Sequence, residues 1–141
     1  MTHMTALVGP AAALHSAGGE LAGLPQGYVL ATVGEDGWDA IGAVLAADPE
    51  AAGDVRRFLA LLVEGAGVRA AGRFAYLEVG DGKQAAMVAE GAEVVASYTT
   101  ELDGSQAGTP RGEWAVNRAL REIGVRAAGA EDEYTALGLP R

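Results

Sequence analysis

The order of strand-like and helix-like runs constrains this chain more than any one residue in it. Pro10 to Leu24 carries Ala11, Leu14, Leu21 and Leu24 at helical spacing and predicts a short first helix. Gly18-Gly19 interrupts that helix, and each interior glycine costs about 1 kcal/mol relative to alanine. Pro25-Gln26-Gly27 stops it. Tyr28 to Val33 reads as a strand, Gly34-Glu35-Asp36-Gly37 as a hairpin turn, and Trp38 to Ala46 as the return strand. Both strands are apolar on both faces, which predicts cover on both sides.

Asp48-Pro49-Glu50 opens the strongest predicted helix, with an Asp cap, a first-position proline and an acid at the positive end. Its stripe is Ala52, Val55, Phe58, Leu59, Leu62 and Val63, with Leu61 widening the apolar surface. Gly65 and Gly67 end it. Phe74 to Val79, Gln84 to Ala89 and Glu93 to Thr100 read as a three-strand meander joined by Gly80-Asp81-Gly82 and Glu90-Gly91. After a polar loop, Glu101 to Gly108, Thr109-Pro110 starts a last helix with Ala115, Val116, Ala119, Leu120 and Ile123 on its apolar side. The string is α-β-β-α-β-β-β-α, an α+β domain over residues 1–125. Residues 126–141 form an acidic tail, read as mobile or loosely docked.

Composition narrows the function classes. A net charge of −9 argues against nucleic acid and anionic membranes, which require a basic footprint. The absence of cysteine excludes disulfides, thiolate metal sites and a thiol nucleophile. No apolar run is long enough to span a bilayer, and Met1-Thr2-His3-Met4 lacks the charged start of a signal peptide, so the expected location is cytoplasmic. Aromatic residues make up only 6%, so the core must come from Val, Leu, Ile and Ala.

Little in the chain offers catalysis. His3 and His15 are the only histidines, and His15 has no carboxylate at helical ligand spacing. Gly80-Asp81-Gly82-Lys83-Gln84-Ala85 has the letters of a dinucleotide fingerprint, but a strand follows where that motif needs a helix, so it reads as a turn. Ser16, Ser97 and Ser105 lie in no nucleophile elbow. No cofactor and no metal are expected, and the chain reads as a non-enzyme.

The acidic-Gly turn Glu35-Asp36-Gly37, the cap Asp48-Pro49-Glu50, the hairpin Gly80-Asp81-Gly82 and the run from Val94 to Asp103 together resemble the roadblock/LC7 family and its MglB-like small-GTPase regulators. The resemblance covers about Ala11 to Val125. It implies a five-stranded antiparallel sheet flanked by helices on both faces. It also implies a homodimer through the second helix and third strand, here Val55, Phe58, Leu59, Leu62, Arg73, Phe74 and Tyr76. The implied role is a non-catalytic adaptor for a Ras-like small GTPase that stimulates hydrolysis in some members. The apolar width of the second helix agrees with a helix-helix interface, and an edge strand Arg73 to Val79 would need covering.

Two rival readings stay open. A small-molecule sensor or scaffold on a similar frame would use Trp38, Tyr28 and Tyr98 as pocket walls. A hydrolase would use the carboxylates Glu35, Asp36 or Asp39.

Overall fold

Thr5 to Val8 is an extended apolar run, and it lies at the middle of the fold. It belongs to β1 (Met4–Pro10), which pairs antiparallel with β4 (Tyr28–Thr32) on one side and β6 (Arg73–Gly80) on the other. The computed structural model describes residues 4–80, 82–91, 93–101 and 108–139. With β3 (Ala22–Gly23), β7 (Lys83–Glu90) and β8 (Glu93–Glu101), these strands form a six-stranded antiparallel sheet in the order β3-β4-β1-β6-β7-β8. A separate ladder joins β2 (Leu14–Ser16) to β5 (Val68–Ala70). The molecule is therefore an α+β protein with an antiparallel sheet.

Alternation along the central strands sends Ala6, Val8, Ala75 and Leu77 to one face and Leu7, Phe74 and Tyr76 to the other. The first face packs under α3 (Ala115–Glu122) and the C-terminal segment. The second packs under α1 (Glu35–Ala47) and α2 (Val55–Gly65). The meander predicted from Phe74 to Thr100 is present, with a Gly80–Lys83 pair closing its first turn.

Several expectations for the first half are corrected. Pro10 to Leu24 is not a helix; it holds the end of β1, then β2 and β3. Trp38 to Ala46 is not a return strand but most of α1. Gly34 takes an extended backbone as the cap residue, and Glu35 and Asp36 sit in the first turn, where the helix dipole favours acids. Ile41 and Leu45, four apart, face the core. Gly37 serves a helix contact rather than a turn: a Cβ there would stand 2.4 Å from the Gly65 carbonyl oxygen at the end of α2. The predicted five-strand plan thus gives way to a sheet whose centre is β1.

The strongest predicted helix starts later than Asp48. Asp48 closes α1 by donating its N–H to the Val44 carbonyl and pairs with Arg57, and Pro49–Gly53 is a 3-10 turn. Asp54 is the cap of α2; its Oδ1 accepts from the N–H groups of Arg56 at 3.1 Å and Arg57 at 3.3 Å. The helix expected from Thr109 likewise begins at Ala115. Its free N–H groups are taken up by the sheet: Ala115 donates to Thr100 Oγ1 at 2.8 Å and Val116 to Gln84 Oε1 at 3.4 Å.

The C-terminal segment is docked, against the expectation of a loose tail. Asp132 caps α4 (Glu133–Ala136), and Tyr134, Leu137 and Leu139 are buried in the core under α3. Asn117 holds the segment by accepting from the Tyr134 N–H at 2.9 Å and donating to Asp132 Oδ2 at 3.2 Å.

Candidate protein-binding groove

The seven residues expected at a dimer interface do not form one outward surface. Leu59, Leu62, Phe74 and Tyr76 are buried within the monomer core. Phe58 is half-buried, and Val55 is 49% exposed at the start of α2. Arg73 pairs with Glu90 at 3.5 Å and Glu122 at 3.3 Å. The strand expected to be an edge is β6, and it is paired on both sides, with β1 and with β7. From Ala75 to Val79 it is paired on both sides, so that stretch has no ladder groups left for a symmetry mate. Edge status depends on strand order, which β1 decides.

The rival sites are also dispersed. Tyr28 and Tyr98 lie on the α3 side of the sheet, where Tyr28 donates to the Ile123 carbonyl at 3.2 Å and the Arg118 guanidinium sits 4.4 Å from the Tyr98 ring centre. Trp38 is exposed on α1, which covers the opposite face. Glu35, Asp36 and Asp39 are exposed on the first turns of α1. His15 Nε2 lies 3.0 Å from the Ala12 carbonyl oxygen. Among the described residues no group of three or more His, Cys, Asp or Glu could hold a metal ion. Asp81, His3, Asp103 and Ser105 fall outside the described residues. Burial, followed by the 2.8 Å hydrogen bond from its hydroxyl to Glu78, raises the Tyr76 phenol well above its ordinary range and keeps it neutral.

A groove of about 510 Å³ runs between α2 and β5. Arg56, Leu59, Ala60, Val63 and Glu64 line its helical side, a spacing that places all five along one face of α2. Gly67, Val68, Arg69 and Ala70 line it from the strand side, joined by Ala17 and Gly91. Gly67 has φ +68°, and a Cβ there would lie 2.6 Å from Gly19 N, so the chain can leave α2 for β5 at this spot only as glycine.

Ladder parity then determines which backbone groups β5 leaves open. Ala71 donates its N–H to the Ala13 carbonyl at 2.8 Å, and Ala17 donates to the Gly67 carbonyl at 2.7 Å. Hydrogen-bonded pairs therefore fall on Ala13/Ala71, His15/Arg69 and Ala17/Gly67, while Leu14/Ala70 and Ser16/Val68 are non-bonded pairs. The N–H and C=O of Val68 and Ala70 point away from β2, along the free edge of β5. Among the described residues, no backbone hydrogen bond ties either residue to another segment. Arg69 is exposed beside this edge and makes no ion pair among the described residues. Arg56 makes one with Glu93 at 3.0 Å, both side chains being well exposed.

The sequence carried part of this site. The α2 stripe was visible; the groove was not, because β2 and β5 are three residues each and their ladder joins segments far apart in sequence. Comparison with protein-family models, with curated proteins and with solved structures finds no match. No helix among the described residues is long and apolar enough to cross a membrane.

Proposed function

We propose that this protein is a protein-binding domain that takes an extended segment of a partner into the groove between α2 and β5. The partner segment adds a strand to β5. The observation that carries this reading is the pair of backbone positions that β2 leaves unbonded, half-buried Ala70 and the more buried Val68, on the strand that lines an apolar groove. Strand addition draws affinity from main-chain hydrogen bonds and specificity from alternate side chains. Leu59, Ala60 and Val63 offer an apolar wall to every second residue of the segment, and Arg69 offers a cation to an acidic one. The occupant is therefore a peptide in which apolar and acidic residues alternate.

Peptide display against the full chain tests this. Selected peptides should alternate in that way, and Ala70→Pro should abolish their binding, because proline removes the open N–H without breaking the β2 ladder. Selection of peptides that bind Ala70→Pro equally well would overturn the reading.

The GTPase adaptor and the homodimer implied by the roadblock/LC7 resemblance have narrower support. The chain has strands where that family's first helix would lie, and β6 is not an edge. The exposed Val55 and half-buried Phe58 on α2 remain available to a helix-mediated contact. A small GTPase is the first protein partner to try in solution. Nucleotide-dependent capture that survives Ala70→Pro but fails with Val55→Asp would favour the α2 surface over the groove.

A further inference from the structure

On the other side of the sheet, a cavity of about 270 Å³ lies between the end of the β6–β7 hairpin, the start of α3 and the C-terminal segment. Val79, Trp114, Val116 and Tyr134 give it apolar walls. Gln84 also lines it, and the residue is only 7% exposed. Its Oε1 accepts from the Val116 N–H, which fixes the orientation of the amide. That is the one hydrogen bond the side chain makes among the described residues, so Nε2 has two N–H donors and no protein acceptor.

The charges around the cavity are already matched. Arg111 Nε donates to Asp132 Oδ2 at 2.6 Å, and Nη1 lies 3.1 Å from Glu131 Oε2. The same guanidinium sits 5.6 Å from the Trp114 ring centre. With one cation facing two carboxylates, no surplus positive charge awaits an anion. The polar group left to a ligand is the Gln84 Nε2, whose donors meet only cavity solvent.

We propose that this cavity binds a small uncharged molecule that presents a carbonyl oxygen to Gln84 Nε2 and a flat apolar body to Trp114 and Val116. The volume lies just below the usual range for drug-sized ligands, about 300–1,000 Å³, which points to one ring and its carbonyl substituent. No buried side-chain nitrogen or oxygen among the described residues lacks a partner, so the Nε2 donors are open to solvent in the cavity, and a carbonyl oxygen there takes the place of water. The site is separate from the α2 groove and does not depend on it.

Titration of the full chain with benzamide, followed by two-dimensional NMR, tests the site. Benzamide at millimolar concentration should shift the Trp114 indole N–H and the Gln84 side-chain amide. Gln84→Glu keeps an acceptor for the Val116 N–H but removes both donors, and should weaken binding about tenfold. Toluene lacks the carbonyl and benzoate carries a charge, so both should bind more weakly than benzamide. Should Gln84→Glu fail to fold, Val79→Phe fills the cavity from its strand wall and should abolish the benzamide shifts. Absence of shifts at Trp114 and Gln84, equal binding by a folded Gln84→Glu or by Val79→Phe, or tighter binding of benzoate would each overturn the proposal.

Discussion

Asn117 accepts the backbone N–H of Tyr134 at 2.9 Å, and this bond joins α3 to the C-terminal segment inside the core. The same side chain donates to the Arg111 carbonyl at 2.9 Å and to Asp132. Asn117→Ala strands a buried donor and a carbonyl together, and should cost about 2–4 kcal/mol. Chemical denaturation measures the loss. Limited proteolysis should cut within residues 126–139 before the sheet unfolds, since the segment then keeps its apolar contacts and its ion pairs with Arg111 and Arg121 but loses its buried anchor.

Acid should release the same segment. Burial alone would raise the Asp132 carboxyl, but hydrogen bonds from Thr135, Arg111 and Asn117 outweigh it and hold the group below its usual range. A carboxyl lowered in the folded state adds stability above its unfolded value, about 3.9, and loses it as pH falls through the folded value. Stability should therefore drop on acidification below that range, and Asp132→Asn should flatten this part of the pH curve. An unchanged curve in the variant would place the acid sensitivity elsewhere.

Two glycines of α1 should respond in opposite directions to alanine. Gly37→Ala drives a methyl into the Gly65 carbonyl and should destabilise by about 1–3 kcal/mol. Gly42 is exposed, and a Cβ added there would meet nothing within 4 Å, so Gly42→Ala should stabilise by about 0.5–1 kcal/mol. Thermal melts of the pair read both signs in one experiment.

On α2, position should matter more than hydrophobicity. Leu62 is fully buried, and Leu62→Ala should cost about 2–5 kcal/mol. Val55→Asp lies on the exposed first turn, where the dipole favours an acid, and should change stability by less than about 0.5 kcal/mol. Phe58 is half-buried, so Phe58→Ala should fall between them. Denaturant midpoints of the three variants check the ranking.

The second half of the chain was legible because its signals are local. The meander strands alternate and their turns carry glycine, and the apolar face of α3 repeats at helical spacing. The first half misled for identifiable reasons. Asp36-Gly37 has the letters of a hairpin turn, yet Gly37 is small because α2 passes close by. Ile41 and Leu45 carry the helical spacing that identifies α1, but the Asp36-Gly37 turn letters before them and the apolar residues on both faces favour a strand reading. Leu14 and Leu21 have the spacing of a helix face, whereas Leu14 belongs to a three-residue strand held by β5. The cap of α2 has a local signal: Asp54 directly precedes Val55, but Asp48 competes with it because Pro49 and Glu50 follow and because the apolar stripe reads back to Ala52. Gln84 and Thr100 give no local sign of capping α3, since that contact bridges segments distant in sequence.

The central position of β1 also dictates the order of assembly. Its partner β4 follows within a few turns of chain, but its other partner β6 begins only at Arg73. A ribosome adding about 5–20 residues per second needs several seconds to supply that strand. Through that interval β1 has one edge unpaired, and the face that α3 and the C-terminal segment cover stays bare. The nascent chain is therefore most exposed to mispairing between the emergence of β1 and that of β6, and the sheet closes from its middle only after α1 and α2 have been made.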